Sequence, residues 1–369
     1  MGPHCEEIIV YQSGWVCCQI APPDLLARLA AEGDAAQREA AIQTLAASAS
    51  LRTQRGLLGR LRREVGVGAA EIAGLAGLEP SSSRQTVYDN QHNGRSFLPG
   101  VRARGDDDAP VQDAAVNDAF DATWATYDFY HAIFERDSLD AAGMELVSTV
   151  HYGVDFDNAF WNGAQMVYGD GSGRVFQVGG LTRSIDVVAH ELTHGVTDFT
   201  AGLVYSKQSG ALNEHMSDVF GSLVKQHSAG QTADKADWLI GADTLVPALG
   251  RALRSMSEPG TAYSGDRQPG HMDDYVDLPD DNDPRNDNGG VHINSGIPNR
   301  AFYLLAVNLG GFAWEKAGRI WYRALTERLQ PDTVFSEAAE LTLAVADELY
   351  GPDERAAVEN AWQEVGVLS

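Results

Sequence analysis

The sequence predicts an α+β fold, β-rich in its first part and helical in its second, behind a separate helical extension. Three observations carry this. Residues 144–178 break into short strand-like runs separated by turns, whereas the elements after about residue 206 are mostly helical in period. The chain has 369 residues, enough for two domains with substantial cores and an extension. The extension differs in composition: residues 1–63 hold seven Arg against six Asp or Glu, net +1, so the remainder carries −26 of a total net charge of −25.

That charge argues against nucleic acid or an anionic membrane as partner. No apolar run approaches membrane-spanning length. The N-terminus carries Glu6 and Glu7 in place of a basic region and has no signal-peptide apolar core. The expectation is cytoplasmic synthesis as a soluble protein, with any export by a non-classical route. The three cysteines, Cys5, Cys17 and Cys18, all lie in the first eighteen residues. The body therefore has no disulfide framework, and its stability rests on packing or metals.

In the extension, Pro22-Pro23-Asp24 breaks the chain and is expected to cap a helix starting at Leu25. Leu25, Leu26 and Leu29 form its apolar stripe, Gly33 ends it, and a second, Ala-rich helix follows from Asp34 to about Ala47. Arg52, Arg55, Arg60, Arg62 and Arg63 then alternate with Leu51, Leu57, Leu58 and Leu61, a pattern typical of a solvated face or linker. The body opens with a strand at 84–89. Pro99, Gly100 and Asp106–Asp108 read as a loop. Asp113 to about Glu135 reads as a helix with Val116, Phe120, Trp124, Tyr127 and Ile133 as its core stripe. Strands are predicted at Met144–Tyr152, Ala164–Tyr168 and Val175–Val178. Further helices are predicted near 213–228, 234–240, 296–309, 312–328, 334–348 and 353–364.

The chemistry concentrates in His190-Glu191-Leu192-Thr193-His194. Histidines four apart on a helix are separated by about 400° of rotation and share a face. Two imidazoles on one face can grip one zinc ion, and Glu191 can reach a zinc-bound water as general base without binding the metal. Glu214 is the candidate third ligand, leaving the fourth position for water. A ligating histidine usually donates its other N–H to a carboxylate or carbonyl. Asp218, one turn beyond Glu214, suits His190 in that role, and Asn213 suits His194.

HELTHGVTDFTAGLVY followed by SGALNEHMSDVFG resembles the thermolysin-like zinc metalloendopeptidases. The resemblance implies a β-rich lobe (84–205), a helical lobe (206–369), a zinc helix between them, and one catalytic zinc. It assigns Tyr205 and His292, the latter in Asp287-Asn288-Gly289-Gly290-Val291-His292, to stabilising the oxyanion, with Asp287 holding the imidazole. Asn158 and the backbone of Ala159 would hold a peptide substrate along an edge strand. Arg254 would hold the substrate carbonyl beyond the scissile bond, and Leu253, Val187 and Ile240 would line an apolar pocket. The family typically cuts on the amino side of bulky apolar residues. Asp186 and Asp237 match carboxylates of a paired calcium site, but Lys225, Leu239 and Ala242 stand where further acids are expected. A weakened or missing calcium site follows, with a lysine ammonium able to replace the cation.

Cys18-x-x-x-Pro22-Pro23-x-Leu25-Leu26 resembles the short propeptide of the protealysin-like subgroup. Residues 1–60 are thus expected to be an inhibitory propeptide, 61–83 a linker, and processing is expected before a leucine in the 51–61 stretch. For Cys17 and Cys18 two readings stand: unmodified thiols in a loose extension, or a thiolate blocking the zinc. The expected protein is a monomer acting on peptides or proteins, with its own propeptide in the cleft. The alternative is a catalytically silent relative that binds peptides or a partner.

Overall fold

The computed structural model describes residues 19–48, 74, 77–78, 83–281 and 283–369. Cys17, Cys18 and the 51–61 stretch lie outside them. The extension forms α1 (Pro23–Glu32) and α2 (35–48). Helix α1 begins at Pro23, not Leu25: proline has no N–H to lose at the first turn, so Asp24 sits inside the helix and does not cap it. Gly33 ends α1 as expected. Asp34 caps α2 by accepting from the Ala36 and Gln37 amides (2.9 Å each), while the Gln37 side chain accepts from the Asp34 amide. Leu25, Leu26, Leu29, Ala40 and Ala41 are buried in the same apolar cluster as the body.

The body opens with β1 (Gln85–Asp89) and β2 (Val101–Gly105), an antiparallel pair. Strand β2 was not expected, because its alternating arginines hide a short edge strand next to an acidic loop. Helix α3 (Ala114–Phe134) buries Val116, Ala119, Thr123, Thr126 and Tyr130. The expected stripe drifts off this face, and Trp124 is 38% exposed, stacking on Tyr127 instead. Strands β3 (Leu146–Val150), β4 (Ala159–Trp161) and β5 (Met166–Tyr168) complete a five-stranded sheet of order β2-β1-β3-β5-β4. Strand β4 is an edge, antiparallel to β5. The strand expected at Val175–Val178 is absent; one isolated bridge joins Phe176 to Leu245.

The short helix α4 (Gly180–Arg183) runs into a kink at Ser184, then α5 (Ile185–Asp198), in which every residue from Asp186 to Thr197 is buried. Helix α6 (Lys207–Ala229) packs along it. A side chain at Gly221 would bring a Cβ within 2.6 Å of the Asp186 carbonyl oxygen and 3.3 Å of the His190 Cβ, so only glycine lets the two helices approach this closely. The helix expected at 234–240 is a turn leading to β6 (Leu239–Ile240), paired with β7 (Arg254–Ser255). Helices α7 (Asp287–Asn294), α8 (Gly296–Leu309), α9 (Ala317–Glu327), α10 (Phe335–Tyr350) and α11 (Pro352–Glu364) form the rest. Four successive left-handed residues, Asp287 to Gly290, open α7, which two glycines make tolerable. Among the described residues no helix is long and apolar enough to cross a membrane.

Candidate active site

Helix α5 projects His190 and His194 from one face, one turn apart, with their rings perpendicular. Their Nε2 atoms lie 3.1 Å apart, and each is 3.4 Å from an oxygen of Glu214 on α6. All three side chains are fully buried. Two ring nitrogens and a carboxylate converging on one point are lone-pair donors aimed at a cation, and this donor set fits a tetrahedral zinc with its fourth position open. The outer partners are those anticipated. His190 Nδ1 donates to Asp218 Oδ1 at 2.8 Å, and His194 Nδ1 donates to the Asn213 carbonyl at 2.8 Å. Both contacts fix the ring tautomer so that Nε2 keeps its lone pair.

Glu191 turns toward the sheet edge, where its Oε2 accepts from the Trp161 amide at 3.0 Å. Opposite it, His292 Nδ1 donates to Asp287 Oδ1 at 2.6 Å, and the His292 amide donates to the other Asp287 oxygen. Tyr205 Oη lies 3.2 Å from His292 Nε2 and bonds Glu214. Burial opposes charge on His292, but Glu214 and then Asp287 outweigh it and push its pKa up to about 10. Burial likewise opposes the Asp218 carboxylate; Arg254 and then His190 outweigh it and hold its pKa at about 2.

Residues 19–21 fill the cleft. Gln19 makes an antiparallel bridge to Phe160 on β4. The Ile20 amide donates to the Ala159 carbonyl at 3.2 Å, and the Ala21 amide donates to Asn158 Oδ1 at 3.1 Å. Asn158 also donates to Gln19 Oε1 at 2.9 Å. His292 Nε2 donates to the Gln19 carbonyl at 2.8 Å, and Arg254 Nη1 to the Ile20 carbonyl at 3.3 Å. Ile20 is wholly buried in the apolar cluster that contains Val187, Leu253 and Ile240. Pro22 and Asp24 then line a small void with Leu253, Arg254 and His292, and Leu25 is buried beyond them.

Asp186, at the start of α5, accepts from Ser184 Oγ and the Val187 and Gly241 amides. Lys225 Nζ sits among Asp186 (3.2 Å), Asp237 (3.0 Å) and the Leu239 carbonyl (3.1 Å). Burial opposes this ammonium, but Asp186 and then Asp237 more than compensate and raise its pKa.

The described residues among those anticipated thus lie around one cleft or its flank, while Cys18 lies outside the described residues. Several partners were not anticipated. Gln19, Ile20 and Ala21 carried no signal beyond their place before Pro22-Pro23. Thr44 and Ser48 of α2 reach the β4 approach through the Asp157 amide and Asn158. Gln268 donates to the His292 carbonyl at 2.7 Å from an irregular loop, where no periodicity could reveal it. The contact of Arg254 with Asp218 was also missed, because it joins residues on separate elements.

A two-lobed body with a His-His-Glu cluster on crossing helices and a general-base glutamate beside it defines a zinc metallopeptidase. Residues 78–198 match the family described as thermolysin metallopeptidase, catalytic domain, and residues 201–367 match its alpha-helical domain. The chain is 45% identical over 357 residues to an extracellular metalloprotease of Pectobacterium carotovorum subsp. carotovorum, covering 95% of this chain and 96% of that one. It is 40% identical over 338 residues to thermolysin of Alicyclobacillus acidocaldarius subsp. acidocaldarius, covering 88% of this chain and 59% of that one. The solved precursor of protealysin, a metalloproteinase from Serratia proteamaculans, superposes with a TM-score of 0.80 at 43% identity, over 95% of this chain and 99% of that one. The chain belongs to the thermolysin metallopeptidase family; it is a zinc-dependent metalloendopeptidase carrying a propeptide.

Proposed function

We propose that this endopeptidase hydrolyses peptide bonds on the amino side of bulky apolar residues and is held latent by its own N-terminal segment. The observation that carries the reading is the course of Gln19-Ile20-Ala21 along β4, with the Ile20 side chain fully buried in the apolar core. A substrate would take the same path, adding a strand to the sheet edge through main-chain hydrogen bonds. Residues 1–60 would be the propeptide and 61–83 a linker to the two lobes.

His190, His194 and Glu214 would hold the zinc. When bound, it supplies a Lewis acid that lowers the pKa of water toward neutrality. Glu191 takes the proton as water attacks the substrate carbonyl, then returns it to the leaving nitrogen. His292, held through its Nδ1 by Asp287, and Tyr205 donate to the developing oxyanion. Asn158, the Ala159 carbonyl and Arg254 hold the chain on the leaving side. At the former calcium position, Lys225 replaces the cation, so the paired calcium site is lost.

The test is peptide turnover after removal of the N-terminal segment with trace protease. Peptides with Leu or Ile after the bond should be cut in preference to those with Asp. A chelator should abolish turnover and zinc should restore it. Failure to cut any peptide with zinc bound would overturn the reading in favour of a silent peptide-binding relative.

A further inference from the structure

The segment in the cleft does more than obstruct it. Resting on the endopeptidase reading above, we propose that the Gln19–Ile20 peptide bond is itself a cleavage site, which each precursor molecule cuts in cis. Polarity and register carry this. A blocking segment could run backwards, or place a side chain at the reactive point. This one runs antiparallel to β4 and puts main-chain atoms on His292, the Ala159 carbonyl, Arg254 and Asn158 Oδ1. The oxyanion donor His292 points at the Gln19 carbonyl oxygen (2.8 Å), which makes the Gln19 carbonyl carbon the electrophile. The next amide, that of Ile20, is the leaving nitrogen, and it faces the Ala159 carbonyl (3.2 Å). The next carbonyl, that of Ile20, lies on Arg254 (3.3 Å), and the following amide, that of Ala21, lies on Asn158 (3.1 Å). A one-residue slip would move the Ile20 side chain to the opposite face of the strand and out of its apolar surroundings. The fully buried Ile20 therefore fixes which bond is presented.

In the step, the oxygen of water bonds to the Gln19 carbonyl carbon and the C–N bond to Ile20 breaks. The two water protons end on the Ile20 nitrogen, with Glu191 as carrier. The products are a Gln19 carboxylate and an Ile20 ammonium. The cut does not free the enzyme. Beyond Ile20 the chain enters Pro22-Pro23 and then α1 and α2, whose Leu25, Leu26, Leu29, Ala40 and Ala41 are buried in the body. The new N-terminus stays tethered in the cleft at high effective concentration. The shortened chain starting at Ile20 is thus a latent product complex, and activity waits for a later cut beyond α2.

The experiment follows the intact mass of freshly purified, zinc-loaded precursor over time, at protein concentrations spanning about 100-fold. The expected result is loss of residues 1–19 with Ile20 as the new N-terminus. Its first-order rate should be unchanged by dilution, and the Glu191→Gln precursor should stay whole. Peptide turnover should stay low while the Ile20 form accumulates. A readout independent of catalysis is amide hydrogen exchange in the Glu191→Gln precursor. The Ile20 and Ala21 amides should exchange slowly, and Asn158→Ala should speed Ala21 exchange. A rate that scales with concentration, a cut that persists in Glu191→Gln, or fast exchange at both amides would overturn the proposal. If trace protease releases peptide-cleaving activity but no Ile20 N-terminus ever forms, this inference fails and the endopeptidase reading stands. If the treated enzyme is also silent with zinc bound, the endopeptidase reading fails.

Discussion

Arg254 grips Asp218 with two nitrogens, Nε to Oδ2 and Nη2 to Oδ1, both at 2.8 Å and both wholly buried. The same guanidinium reaches the Ile20 carbonyl, and the same carboxylate orients His190. One ion pair therefore joins the chain in the cleft to the metal-binding cluster.

Removing one partner of a buried pair leaves the other charged and uncompensated. Arg254→Ala is expected to cost about 3–5 kcal/mol of stability, read as a lowered Tm, along with weaker substrate binding. Arg254→Lys should rescue little, since an ammonium cannot bridge both Asp218 oxygens and the peptide carbonyl. A lysine variant with unchanged Tm and kcat/KM would overturn this account.

The side chains that converge as a metal cluster are His190, His194 and Glu214, and Glu191 is not among them. In the protease-treated enzyme, Glu191→Gln is expected to lower kcat by roughly 10²–10⁴ while metal analysis still finds one zinc per chain. Loss of zinc together with activity would place Glu191 among the ligands.

Asp24 gives the docked segment a pH dependence. Burial, and then the nearby Asp287 charge, push its pKa up to about 6, with His292 and Arg267 opposing. The ordinary aspartate value is 3.8, so docking, which raises it, favours the protonated form. The contribution is fully present below pH 3.8 and is lost as pH rises through about 6. Docking should therefore weaken by on the order of 100-fold across that window. Asp24→Asn should flatten the profile, checked by protease susceptibility of residues 19–48 from below pH 3.8 to above about pH 6. An unchanged slope in the variant would exclude Asp24.

Lys225 should make calcium irrelevant to stability. The wild-type Tm is expected to be the same with calcium or chelator. Lys225→Glu should lose about 1–3 kcal/mol without calcium, because a third carboxylate joins Asp186 and Asp237, and should regain it with calcium. Strong calcium protection of the wild type would contradict the replacement.

Much of this was legible in the chain because it is local. The spacing of His190 and His194 fixes their shared face, and Asp34-x-x-Gln37 writes its own cap. Where short-range pattern misled, a neighbour had decided. Trp124 fits a helical stripe, yet α3 buries Ala119 and Thr123 instead, with Thr123 hydrogen-bonded to Ser148 of β3. Residues 234–240 read as helical, but pairing of Leu239–Ile240 with Arg254–Ser255 draws their end into a ribbon.

The sequence by itself determined the metal-binding face of α5 and its general base, since helical geometry converts spacing into position within a turn or two. Only the tertiary structure decided what lies against that face. Gln19 meets His292 across 273 residues, and Ile20 meets Arg254 across 234. No periodicity reaches so far. Those contacts arise because α1 and α2 bury their leucines and alanines in the body and thereby feed the preceding strand into the cleft.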